Sequence, residues 1–161
     1  MNQLGPALYR RLQRLFRAML LGQAVFLLLS VGLIMSAQTD RFSPELAAEF
    51  WRFVPFFDMG MLVLGLLLFN YQRGRAIQQE RINTRLTRYF SAAVIRLALI
   101  NGTALFNLAI FSLTADRGFL LLFGGVVTWY IVLRPTHRRL RAELKLPGEQ
   151  FSELFGVNPE R

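Results

Sequence analysis

The sequence predicts an all-α fold, an integral membrane four-helix bundle arranged as two like-oriented helical hairpins, and three observations lead there. First, 53% of the 161 residues are hydrophobic, with 15 Phe, which is too apolar for an ordinary soluble domain of this size. Second, the excess is gathered in four windows, about 15–36, 53–71, 92–114 and 118–134. A hydrocarbon core of about 30 Å takes roughly 20 helical residues, which all but the last window reach or approach. Third, the basic residues gather between and beyond these windows on one side. One membrane domain over 1–146 and a tail over 147–161 are expected.

Each element follows in order. Arg10, Arg11, Arg14 and Arg17 precede the first apolar run without an acid. No small-x-small cleavage site follows Met35, so the run reads as an uncleaved span rather than a secretory signal. Ser43-Pro44-Glu45 is a helix start, with a hydroxyl cap, a first-turn proline and an early acid. Leu46, Phe50 and Trp51 then belong on an interface plane. Pro55 either kinks the chain into the second span or starts that span anew. The fourth window ends at Arg134, and it fits a bilayer if Trp129 and Tyr130 sit at headgroup level. Pro147-Gly148 ends the helix that continues from it. Phe151, Leu154 and Phe155 then recur at helical spacing, either as a small docking segment or as a tail folded back on the bundle.

Charge sets the orientation. Fifteen Lys and Arg lie on the side of the termini and the 72–88 loop, against three, Arg41, Arg52 and Arg117, on the other. The positive-inside rule puts both termini in the cytoplasm. Arg14, Arg17, Arg73, Arg75, Arg88, Arg134, Arg138 and Arg139 are expected to meet anionic lipid headgroups, at about 1 kcal/mol each. Arg96, within the third span, is expected to snorkel to the same surface. The net charge of +9 is not read as nucleic-acid binding, because no recognition motif accompanies it. With no cysteine, disulfides and thiolate metal sites are excluded.

An internal repeat is the most informative pattern. Arg11-Leu12-x-Arg14-x-Phe16-x-Ala18 recurs as Arg85-Leu86-x-Arg88-x-Phe90-x-Ala92. Ala18-x3-Gly22-x-Ala24-x-Phe26 recurs as Ala98-x3-Gly102-x-Ala104-x-Phe106. The offsets differ, 74 against 80, so a duplication requires about two helical turns of insertion; chance likeness among apolar helices is the competing explanation. Small residues carry helix association in lipid by letting backbones approach. Ala18, Gly22, Ala98 and Gly102 are therefore the expected seam, with Gly60, Gly65, Gly124 and Gly125 as further approach points.

Chemistry would have to reside in the polar groups inside the spans. Asn101, near mid-membrane, must bond to another helix or face water. Asn107 either shares that face or lines a path. Asp58 is the only acid well inside a span, either an ion site or a carboxylate favoured by the dipole at the start of its helix. The single histidine, His137, lacks triad partners and metal-ligand spacing. No phosphate-cradling glycine loop or G-x-S-x-G motif occurs. The expected protein is not an enzyme and takes no cofactor or metal.

The run Ala98-Leu99-Ile100-Asn101-Gly102-Thr103-Ala104-Leu105-Phe106, with Leu133-Arg134-Pro135-Thr136 and Leu144-Lys145-Leu146, resembles a group of small uncharacterised bacterial four-span membrane proteins over most of residues 85–147. That resemblance implies an architecture and no activity. A fainter likeness is to the second helix of ATP-synthase rotor proteolipids, with Arg81 placed like that family's polar-loop arginine. The ion-carrying carboxylate position is here Asn101, which cannot exchange a proton near neutral pH, and the glycine-rich partner helix is missing. Rotor activity is thus not implied.

The expectation is a non-catalytic protein of the bacterial inner membrane, an oligomeric scaffold or an accessory subunit, with lipids, further copies or membrane-complex subunits as partners. The alternative is a component of an ion or small-solute channel or transporter, with a polar route near Asn101, Asn107 and Asp58. A third is a partner-binding module acting through residues 136–161.

Overall fold

A computed structural model describes residues 4–36 and 44–156. Ser43, the expected cap, and Arg41, one of the three basic residues of the other side, lie outside the described residues. Six helices follow one another: α1 (Leu4–Ser36), α2 (Pro44–Ile77), α3 (Ile82–Thr114), α4 (Arg117–Val132), α5 (His137–Leu144) and α6 (Gly148–Phe155). No strand occurs among the described residues. Three of these helices are long and apolar enough to cross a membrane, or four if α4 and α5 count as one span bent by 76°.

α3 is the hub. α1, α2 and α4 each pack on it along their length, and its Leu86, Leu97, Ile100, Ala104 and Leu108 are at most 1% exposed. α1 and α2 meet each other only marginally. The expected pair of equivalent hairpins is therefore not the arrangement: α3 and α4 form a packed hairpin, whereas α1 and α2 sit apart on a shared neighbour. The outward faces remain apolar, as at Leu28, Met35 and Phe56, which are 72%, 83% and 78% exposed. Water-soluble monomers seldom leave such continuous apolar surface uncovered, and lipid tolerates it.

Pro55 neither kinks α2 into a second segment nor starts it, since α2 runs unbroken through that position. A proline removes one backbone bond, and neighbouring helices can hold the rest in register; Val54 and Asp58 on either side are buried. The α3–α4 turn is closed by Ala115 in the left-handed region (φ 54°) and by Asp116, which caps Gly118 N–H at 2.8 Å. The Trp51 indole donates to Asp116 Oδ2 at 2.7 Å and stacks on Phe119. The apposition needs glycine at 118, because a Cβ there would run into the indole ring.

The fourth helix stops at Val132, and the chain then turns through Leu133–Thr136 into α5. It does not continue to Pro147 as the sequence suggested. Pro135 disfavours helix in the residue before it, and the Thr136 hydroxyl restarts the helix by accepting from Arg139 N–H. Tyr130 is turned into the protein: it is fully buried, stacked on Phe16 at 4.6 Å, and donates to the Phe16 carbonyl. α5 and α6 fold back across the end of the bundle where α1 and α3 begin and α2 ends. This end carries most of the arginines and is called the basic end below.

Candidate functional site

The polar residues of the long helices form a ladder on α3. Asn101 Oδ1 accepts from Gln23 Nε2 of α1 at 2.9 Å. Asn107 Nδ2 donates to Asp58 Oδ2 of α2 at 2.8 Å and to the Thr103 carbonyl at 3.2 Å. Ser112 and Ser30 share a hydroxyl bond of 2.8 Å back on the α1 side. By helical rise these rungs stand about 7–9 Å apart. Residues 101 and 112 share one face of α3, whereas 107 lies on another, so successive rungs within the chain look to different neighbouring helices.

Asn101 thus bonds across to another helix, and Asn107 bonds to a different helix from it. For Asp58 the helix-dipole explanation fails. α2 begins at Pro44, which puts Asp58 about four turns into the helix, and the dipole acts only within the first turn. Asp58 is instead 5% exposed and held by the side chain of Asn107, itself fully buried. Asp58 Oδ1 and Asn107 Oδ1 carry no protein partner.

The expected seam of small residues is not closed within the protomer. Ala18, Gly22, Ala98 and Gly102 are all exposed, and a Cβ on either glycine would meet nothing within 4 Å. The same holds for Gly60, Gly124 and Gly125, and only Gly65, 3.7 Å from Leu99, sits against another helix. α1 and α3 meet on the side of Gln23 and Asn101, and helical spacing turns Gly22 and Gly102 away from that contact.

At the basic end Arg96 is the main departure. Its side chain is 5% exposed, stacked over Phe69 at 3.7 Å, with Glu143 of α5 at 3.8 Å. Glu143 also accepts from Tyr89 and, at 2.8 Å, from Arg139. Arg96 reaches toward the surface as snorkelling requires, but it ends on a protein carboxylate and not on a lipid headgroup. Arg139 is similarly engaged, donating to Glu143 and to the Val132 carbonyl. Arg73 is partly covered. Arg14, Arg17, Arg75, Arg88, Arg134 and Arg138 remain exposed, as headgroup contact requires. Arg85 donates to the Leu144 carbonyl and adds a second tie between α3 and α5.

The tail folds back on the bundle. Phe151 is fully buried and Phe155 nearly so. Both rings surround His137, whose imidazole lies 4.0 Å from the Tyr9 ring. Gly5 leaves room for Phe155, which a Cβ would meet at 3.4 Å. Burial pushes the His137 imidazole below its ordinary 6.5. Outside the long helices each such buried apolar side chain contributes about 1.5–3 kcal/mol, which holds an eight-residue helix that would not persist alone.

Sequence reasoning missed Gln23, Ser30, Ser112 and Glu143. Gln23 carried a signal, a lone amide in an apolar run. Glu143 carried none, since an acid among tail arginines reads as solvated. No protein-family model, no curated protein and no solved structure matches the chain.

Proposed function

We propose that this protein is a non-catalytic, multi-pass protein of the bacterial inner membrane, with both termini cytoplasmic, that serves as an oligomeric scaffold or accessory subunit. The observation that carries this reading is the way polar groups are spent. Gln23–Asn101, Asp58–Asn107 and Ser30–Ser112 each bind α3 to a neighbour, and they alternate between sides of α3. Polar contacts of this kind fix helix pairing in lipid, at about 0.6 kcal/mol each. The large apolar faces of α1 and α2 are left for lipid or for other membrane proteins. The basic end, closed by α5 and α6, forms a rigid anchor at the headgroup layer.

Native mass spectrometry of the protein gently extracted from its own membrane tests the reading. A species heavier than one chain, either a defined oligomer or a complex with a companion, is expected. A bare monomer at every detergent strength would refute it. The rival reading, a channel or transporter component, draws on the two buried oxygens without protein partners, Asp58 Oδ1 and Asn107 Oδ1. Such atoms are where an ion could be held.

A further inference from the structure

Near the basic end, the outer side of the α1–α3 pair carries an open groove of about 570 Å³. Leu15, Phe90, Val94 and Ile95 supply apolar walls, and Arg11, Thr87 and Ser91 supply polar ones. Below it the same side of the two helices continues, by spacings of four and seven on α1, from Arg11 and Leu15 to Gly22 and Leu29. On α3, spacings of three and four lead from Ser91 and Ile95 to Ala98 and Gly102. The lower four residues are exposed, and neither glycine presents anything that fills the furrow. The residues that failed to form an internal seam therefore extend the floor of the groove away from its polar end.

Charge indicates the occupant. Neither α1 nor α3 contains a single Asp or Glu, and between them they carry Arg10, Arg11, Arg14, Arg17, Arg85 and Arg88 toward the basic end. Among the described residues Arg11 has no ion-pair partner. The Thr87 and Ser91 hydroxyls donate to helix carbonyls and retain acceptor capacity for a headgroup hydroxyl. A second copy set symmetrically on this face would bring arginines against arginines with no acid to separate them, which electrostatic complementarity disfavours.

We propose that the groove binds an anionic phospholipid, with the phosphate at Arg11 and one acyl chain lying past Ile95 toward Ala98 and Gly102. The site goes beyond the scaffold role and rests only on its membrane component. It differs from the general basic collar in having a shaped apolar slot beneath one unpaired cation.

Native mass spectrometry from detergent, with phosphatidylglycerol and phosphatidylcholine added in equal amounts, tests it. Wild type should retain phosphatidylglycerol preferentially. Arg11→Gln should lower that preference by about fivefold, the equivalent of one basic contact. Ser91→Trp and Gly102→Leu, both at exposed positions, should lose the retained lipid with the fold unchanged by circular dichroism. Arg52→Gln, exposed and at the opposite end of the bundle from the groove, should behave as wild type. Retention equal to wild type in Arg11→Gln, Ser91→Trp and Gly102→Leu would overturn the site, as would a dimer that Ser91→Trp and Gly102→Leu abolish while no lipid is retained by wild type. Recovery of the protein from cells without detergent would overturn the membrane reading itself, and is distinguishable from both.

Discussion

Glu143→Leu should unlatch α5 from the bundle. The carboxylate is 11% exposed and the Arg96 guanidinium 5%, at 3.8 Å. With an effective dielectric of about 20, the pair attraction is about 4 kcal/mol, and removing one partner of a buried pair costs about 3–5 kcal/mol because the other charge stays buried alone. The Arg139 contribution is smaller, about 1 kcal/mol or less, since that side chain is 32% exposed and screened. The chain lacks cysteine, so a single Leu140→Cys, on the buried side of α5 and 3% exposed, reports opening by its rate of maleimide labelling. A loss of about 3 kcal/mol corresponds to labelling roughly 100-fold faster when local opening limits it. Arg96→Met should act alike. The double variant should be more stable than the sum of the single losses implies, by about 2 kcal/mol, because it leaves no unpaired charge. Unchanged labelling in Glu143→Leu, or strictly additive losses, would refute the latch.

Two further outcomes follow from the same geometry. Gly118→Ala should lower thermal stability in detergent by about 1–3 kcal/mol, since its Cβ would displace Trp51 from Asp116. Gly22→Ala and Gly102→Ala, which meet open space, should stay within about 0.5 kcal/mol. The His137 imidazole, depressed by burial, favours α6 docking in its neutral form. That contribution is complete above its unfolded value of about 6.5 and is lost as pH falls below it. Amide protection in 148–155, corrected for the intrinsic pH dependence of exchange, should fall on acidification, and His137→Phe should remove that fall.

The sequence made the helical class, the apolar windows and the basic collar legible, because hydropathy over 18 or more residues and the grouping of arginines are strong local signals. The packing of those helices was not legible. Ala18-x3-Gly22 and Ala98-x3-Gly102 have the spacing of a packing seam, yet spacing fixes only that residues share a face and not what that face meets. Arg96 showed the reverse problem: its partner Glu143 is 47 positions away, and only the turn at Leu133–Thr136 brings α5 over it. Asp58 was misplaced along its helix because Pro55 looked like a helix boundary. Of the site itself, Asn101, Asn107 and Asp58 were identified from the sequence as polar groups in need of partners, while their alternation around α3 emerged only with the fold.

That alternation separates a scaffold from a conduit, and ion flux across liposomes tests it most directly. Wild-type protein reconstituted at defined orientation should pass no current or tracer for monovalent cations, anions or protons over a range of potentials. Asp58→Asn and Asn101→Leu should leave that baseline unchanged. Flux through wild type that disappears in either variant, with assembly intact, would contradict the account.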